Sequence, residues 1–402
     1  MINSLTLRIV RTSLFIFFCY LIIGALLASL PRYVHLQLGF STFWAGVAVS
    51  SQYVATLLSR PKVGRMTDVL GPRTVVLLGQ LACFLSGLLL LFAVSLDDNA
   101  IFCFGALLIS RVALGCGESG VATGSTTWGL ARVKSDRAAQ VISWSGIASY
   151  GGMSVGAPLG IWLENTHGLI AIAIAVTGIS LLNFAIAFPL PGVPILRTDH
   201  LPFSEVLRKV FLDGLGLALG TIGFGTIASF TTLYYASRHW DAPALAMSLF
   251  GVSFIATRLI FADTINRWGG FRVATVSFAV ECAGLLVLWS ATSPDMARAG
   301  AALSGCGFAL VFPALGVEAV KAVAESDRGS ALGVYTAFLD LALAITGPVA
   351  GFIIGRWGYP AIFLYGSAAP ACASILIFSR ARFESSRSDA HSEIPKLQPF
   401  IG

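Results

Sequence analysis

SRPKVGRMTDVLGPRT, residues 59–74, sits between two apolar stretches and carries Arg60, Lys62, Arg65, Asp68 and Arg73 among Pro61, Gly64, Gly71 and Pro72. In a chain that is 56% hydrophobic and only 11% charged, such a concentration marks a turn that must meet water between two segments that must not. Glycine admits the backbone angles of a tight turn and lets a neighbouring helix approach. Asp68 has Arg65 and Arg73 within reach, or a helix N-terminus beside it. Such charges can be paired in one packing of the chain and parted in another.

A mean hydropathy of +0.81 over 402 residues leaves too little polar surface for a soluble globule. Stretches of about 20 mainly apolar residues read as membrane-spanning helices. Twelve are expected, near 13–34, 42–62, 73–94, 99–124, 138–163, 168–190, 210–235, 243–262, 272–293, 296–320, 329–354 and 359–379. An even number puts both termini on one side. Most of the 26 Lys and Arg fall on that side; Arg32, Arg238, Arg298 and Arg356 fall on the other and Arg111 lies inside a span. Basic loops stay in the cytoplasm, so both termini are expected there. The net charge of +6 then follows from topology, and nucleic acid is not an expected partner. The seven cysteines lie in apolar runs, as small packing residues and not as a disulfide or metal framework.

The opening stretch returns as TRLIFADTINRWGGFR, residues 257–272: Ser59-Arg60 matches Thr257-Arg258, Gly64 matches Ala262, Asp68 matches Asn266 and Gly71 matches Gly269. GCG occurs at 115–117 and 305–307, SDR at 135–137 and 326–328, and Pro158 pairs with Pro348 and Gly168 with Gly358. Matches in the same order across several spans indicate two six-helix halves in parallel register. The expected division is an N-terminal bundle at 1–190, a cytoplasmic linker at 191–209, a C-terminal bundle at 210–380 and a polar, disordered tail at 381–402.

Two such halves, with a site where they meet, describe the major facilitator superfamily. GRMTDVLGPR resembles its signature between spans 2 and 3, G-x-x-x-D-x-x-G-x-R/K, with Gly64, Asp68, Gly71 and Arg73 in place. The wider run is similar to a branch of bacterial permeases labelled arabinose-efflux-like. The resemblance implies an all-α membrane protein, in two pseudo-symmetric six-helix bundles, that moves a small solute across a bacterial inner membrane by alternating access. It also implies a gate on the cytoplasmic side, formed by Arg60, Gly64, Arg65, Asp68, Gly71 and Arg73. Asn266 lacks the charge of Asp68, so the first half should dominate it.

Ionisable residues deep in a span are functional candidates because burying them is costly. Arg111 and Glu118 lie in span 4, Glu281 in span 9 and Asp340 in span 11. Seven residues on an α-helix is about 700° of rotation and roughly 10 Å of rise, so Arg111 and Glu118 share a face. Gly115 and Gly117 keep that face thin. RVALGCGE resembles the superfamily motif R-x-x-x-G-x-G, followed by the acidic residue of proton-linked organic-anion symporters. The resemblance implies that Glu118 exchanges a proton and that Arg111 binds an anionic group or pairs with a carboxylate; a static ion pair is the alternative. Asp340, the counterpart of Tyr150 in the duplication, is a second candidate proton site or a contact for a cationic group. Glu281 belongs to a peripheral span of this fold and is the weaker candidate.

Aromatic residues crowd the spans expected around the cavity: Phe17 and Tyr20, Trp144 and Tyr150, Phe230 and Tyr234, and Phe308 and Phe312. Such a lining suits an amphipathic or sugar-like solute. GGMSVGAPLG at 151–160 resembles the exporters' motif G-x-x-x-G-P-x-x-G-G, with Ala157 inserted and Ile161 in place of the last glycine. Export is favoured; uptake of an organic anion and a non-transporting receptor are the alternatives. The five histidines lie in loops or the tail, and no H-E-x-x-H, G-x-S-x-G or G-x-x-x-x-G-K-[ST] occurs. No enzyme, metal site or nucleotide-driven pump is therefore expected. The expected partners are a small-molecule substrate, protons and the lipid bilayer, with the proton gradient in place of a cofactor and the chain working as a monomer.

Overall fold

The structure, a computed structural model, describes residues 4–96, 98–133, 138–193, 203–261, 263–324 and 327–392. Among them every regular element is a helix: α1 (Ser4–Arg32), α2 (Thr42–Leu70), α3 (Pro72–Val94), α4 (Ala100–Leu130), α5 (Ala138–His167), α6 (Leu169–Ala187), α7 (Phe203–Ser237), α8 (Pro243–Phe261), α9 (Thr264–Trp268), α10 (Gly270–Trp289), α11 (Pro294–Phe308), α12 (Val311–Lys321), α13 (Arg328–Trp357) and α14 (Ala361–Ser392), with a π-helical turn, Tyr33–Gln37, after α1. Spans 1–8 are α1–α8, span 9 is α10, and spans 11 and 12 are α13 and α14.

Span 10 is divided into α11 and α12. Pro313 has no N–H to donate to the Ala309 carbonyl, and its ring clashes there, so the helix breaks at Ala309-Leu310. The linker ends earlier than expected, because α7 begins at Phe203. Glu205 in its first turn meets Lys209 one turn on at 3.7 Å, and an acid at a helix N-terminus favours the start. At the other end α14 continues to Ser392, which corrects the disordered tail expected from 381. No Gly or Pro interrupts 371–392, so nothing local stops the helix. Residues 194–202 of the linker and 393–402 of the tail lie outside the described residues.

Among the described residues ten helical stretches, with α11 and α12 taken together as one, are long and apolar enough to cross a bilayer; α2 and α5 fall short. Their polar residues, Ser50, Ser51 and Gln52 on α2 and Ser145, Ser149 and Ser154 on α5, belong to helices that pack on the opposite half. The lipid-facing residues are large and apolar, as at Leu58, Leu81, Ile109, Leu182, Leu259 and Ile375.

Helix packing repeats along the chain. In the first six helices α1 packs on α5, α3 on α4 and α6, and α2 on α4; in the last set α7 packs on α13, α10 on α11 and α14, and α8 on α11. The repeat reaches individual residues. A Cβ on Gly117 would meet the Cys83 Sγ at 2.5 Å, and one on Gly307 would meet the Glu281 backbone N at 2.2 Å. Gly71 and Gly269, which end α2 and α9, share φ of +82°, where an L side chain is strained.

The two sets meet through α2 with α13, α5 with α8 and α1 with α7. At the end away from the basic loops the contact is made through small side chains and backbone. Thr42 donates to the Gly351 carbonyl at 2.7 Å and Ser50 to that of Leu343 at 3.1 Å. Between them a Cβ on Gly46 would lie 2.0 Å from the Gly347 carbonyl oxygen. Small residues permit this approach, as is usual between membrane helices. These contacts advance in step along both helices and then lapse. The next link, Arg60 to Asp340, is made by a long side chain, and side chains lean toward the N-terminus of their helix, so Arg60 reaches back toward the joined end.

Candidate functional site

Below the joined end, α2 and α4 enclose a polar group. Gln52 and Thr56 stand one turn apart on α2 and both reach Glu118 of α4: Gln52 Nε2 donates to Glu118 Oε2 at 2.8 Å, and the Thr56 hydroxyl lies 3.0 Å from the same oxygen. That hydroxyl is also 3.1 Å from the Gly115 carbonyl and has one hydrogen to give. A Cβ on Gly115 would fall 2.2 Å from the Gln52 carbonyl oxygen, so the glycine brings α2 close enough for these bonds. Glu118 is fully buried, and its Oε1 has no partner among the described residues.

Across the seam Arg60 Nε donates to Asp340 Oδ2 of α13. Asp340 is fully buried and its Oδ1 is unpartnered among the described residues. The charges of Arg60 and Asp340 both act on Glu118, and all three act on Tyr20 of α1. The gate candidate Arg60 and the proton candidates Glu118 and Asp340 thus form one cluster. Removing one member of a buried ion pair costs about 3–5 kcal/mol, whereas parting the halves would return Asp340 to water. Arg60→Gln should therefore open the basic end. Alkylation of a cysteine placed at Thr336, one turn from Asp340, should speed up on the order of tenfold, and Arg60→Gln/Asp340→Asn should return it toward the parent rate.

The other half presents rings at the equivalent places. By the duplication Gln52, Thr56 and Glu118 correspond to Phe250, Phe254 and Phe308, and Arg60 and Asp340 to Arg258 and Tyr150. Phe254 lies 6.4 Å from Phe250 and 6.1 Å from Phe308, centroid to centroid. Tyr150 of α5 meets Phe254 at 5.4 Å, Phe308 at 5.6 Å and Phe312 at 5.4 Å. Arg258 crosses from α8 to α5, donating from Nη1 to the Gly146 carbonyl at 3.1 Å. Its guanidinium lies 5.2 Å from the Tyr150 ring centre and 5.1 Å from that of Phe254, within cation–π range. A small apolar cavity beside these rings, between Gly24, Met153, Phe224, Ala228, Met247 and Phe250, has room for about one water.

Several candidates lie elsewhere. Arg111 is fully buried but makes no hydrogen bond or ion pair among the described residues; it and Glu118 share a helix face without pairing, and Tyr53 of α2 is its electrostatic neighbour. Arg65 and Asp68 are exposed on the last turns of α2. Gly64 is inside that helix and not in a turn, with nothing within 4 Å of its Cβ position. Arg73 bonds the Phe188 carbonyl and lies over that ring, tying α3 to the end of α6. Phe17 is half-buried and packs on Phe18 with α5 behind it; Trp144 is half-buried on α5.

Phe230 and Tyr234 do not line the seam. Thr232 donates to the Ala28 carbonyl of α1, and positions two residues either side of it point about 200° away. Tyr234 accordingly turns into its own half, its hydroxyl 3.3 Å from the Ala291 carbonyl and its ring against Phe363. Glu281 is buried off the seam, and a Cβ on Gly223 would come within 2.5 Å of its Oε1.

Gln52, Thr56 and Arg258 are site residues absent from the expected set. The signals were present: two polar residues at i, i+4 inside a span, and an arginine in register with Arg60.

The model of the Major Facilitator Superfamily matches residues 12–315 and 244–400. The chain is 49% identical over 391 residues to the uncharacterized MFS-type transporter BPSL2729 of Burkholderia pseudomallei (strain K96243), covering 96% of each. It is 48% identical over 372 residues to the uncharacterized MFS-type transporter YhhS of Shigella flexneri, covering 92% of each. Among solved structures it superposes on a D-xylose–proton symporter with a TM-score of 0.76 at 14% identity, over 93% of this chain and 97% of that one. With the human organic anion transporter MFSD10 (TETRAN) the TM-score is 0.72 at 19% identity, over 93% and 100%. These structural likenesses concern the fold. Matched along nearly its whole length by the family and by close relatives, the protein belongs to the major facilitator superfamily of membrane transporters.

Proposed function

We propose that the protein exports a small amphipathic organic solute across a bacterial inner membrane in exchange for protons, by alternating access, with both termini in the cytoplasm. The observation that carries this reading is Glu118: a fully buried carboxyl, half-satisfied by Gln52 and Thr56, beside an ion pair that joins the two halves. A carboxyl in that position changes the electrostatics of the Arg60–Asp340 link when it gains or loses a proton, so occupancy and packing are linked. The basic loops support a cytoplasmic assignment for the end held by Arg60 and Asp340. The tightly joined end is then the outer one, and opening to the cytoplasm requires the arginine links to release.

The acidic and hydrogen-bonding face of one half opposite the rings of the other supports an amphipathic solute. Uptake of an organic anion is the second reading, supported by the buried and unpartnered Arg111. Inverted and right-side-out vesicles carrying the protein separate the two. With a pH gradient imposed, solute should accumulate in inverted vesicles; accumulation in right-side-out vesicles instead would reverse the direction. Binding with no gradient-dependent flux in either would leave a receptor.

A further inference from the structure

The ring of Tyr150 is a side chain of one half seated in a cup built by the other. Phe254, Phe308 and Phe312, from α8, α11 and α12, surround it at 5.4–5.6 Å, and the Arg258 guanidinium closes over it. The glycine one turn earlier makes the cup possible. Gly146 supplies the carbonyl that steers Arg258, and its missing Cβ leaves space for Phe312, whose ring would lie 3.2 Å from one. The seat is also a compromise: the Tyr150 hydroxyl is buried with no hydrogen-bond partner among the described residues, and a buried polar group left unmatched costs stability.

The cup therefore holds an aryl group with an oxygen at its rim and a cation above it, and it leaves that oxygen unserved. A free aryl group bearing an anionic oxygen fits the same space better. It stacks on the phenylalanines as Tyr150 does and gives Arg258 a charged acceptor in place of a ring face. Among the described residues the charge stacked on the rings of the cup is that of Arg258, which disfavours a cation there. The acidic residues of the seam have partners of their own, Glu118 in Gln52 and Thr56 and Asp340 in Arg60.

From this geometry we infer that Phe254, Phe308, Phe312 and Arg258 form the substrate subsite for an aromatic carboxylate, which displaces Tyr150 as the halves part. The inference rests on the transporter reading above and names the class of solute. Tyr150 acts as a built-in competitor that fills the cup between cycles.

Binding of 2-naphthoate to the purified full-length protein tests it, read by equilibrium dialysis and by thermal stabilisation. Decalin-2-carboxylate keeps the charge without the aromatic face, and 2-naphthylmethylammonium keeps the face with the opposite charge. The expected result is affinity for 2-naphthoate at least tenfold above both. Arg258→Gln should weaken it on the order of tenfold or more, the usual loss for a charge-assisted bond, with Arg258→Lys in between. Tyr150→Leu should tighten it severalfold by removing the competitor. Equal binding of the three probes, or unchanged affinity in folded Arg258→Gln, overturns the subsite. Should Arg258→Gln not fold, Arg258→Lys and Tyr150→Leu carry the test, and naphthoate affinity unmoved by both rejects it. Flux separates the two levels: naphthoate binding in this pattern without proton-driven flux leaves the subsite standing and removes the transporter reading. Proton-driven flux of another solute without naphthoate binding removes the subsite alone.

Discussion

Glu118→Gln is expected to abolish proton-driven flux, by more than a hundredfold, while solute binding and counterflow exchange persist. Glutamine keeps the size of the side chain and can still accept from Gln52 Nε2, which now donates to Oε2 at 2.8 Å, so α2 and α4 should stay packed. What is lost is a group that exists in two charge states. The groups that sense it include Arg60 and Tyr20 of its own half and Asp340 across the seam, and in the variant their surroundings become constant. Flux in reconstituted vesicles over a series of pH values should accordingly be flat as well as slow. A variant that keeps the parent pH profile would take Glu118 out of the coupling. Loss of counterflow together with driven flux would show that Glu118 is needed to bind solute or hold the helices.

The second large effect is steric. Gly46→Leu places a side chain where its first carbon alone would stand 2.0 Å from the Gly347 carbonyl oxygen and 2.2 Å from its carbon. Both obstacles are backbone, so no rotamer relieves the overlap and α2 must move away from α13. The contact lies between the halves and not within either, so folding should survive while closure of that end fails. Alkylation of a cysteine near Thr42 should rise at least tenfold and transport should fall by as much. Gly178→Ala is the control, with nothing within 4 Å of its Cβ position, and should leave both unchanged. Parent-like labelling and transport in Gly46→Leu would show that the halves do not use this contact.

The spans were legible because a bilayer imposes a length and a polarity that no other environment does. The duplication was legible because glycines such as Gly71 and Gly269 must recur wherever the same turn recurs. Long-range pairing was not. Arg60 reads as part of the turn that follows it, and its partner Asp340 lies 280 positions away on a helix whose facing depends on how the halves meet. Asp68 and Arg65 read as a local charge group, yet both are exposed. Phe230 and Tyr234 share the helix of Thr232, which touches α1, and a list of aromatics by helix ignores that a two-residue step turns away from the seam. Polar residues were weighed by charge, so Gln52 and Thr56, which hold the carboxyl, went unselected.

Equivalent positions of the two halves carry an acid with its hydrogen-bond donors on one side and rings on the other. Halves in parallel register exchange about an axis along the membrane normal, which leaves the open side unchanged, so identical copies would make the two arginine links of the basic end identical. With Asp340 opposed to Tyr150, one link is an ion pair and the other a cation over a ring. Protonation of Asp340 would weaken one flank of the seam and leave the other in place.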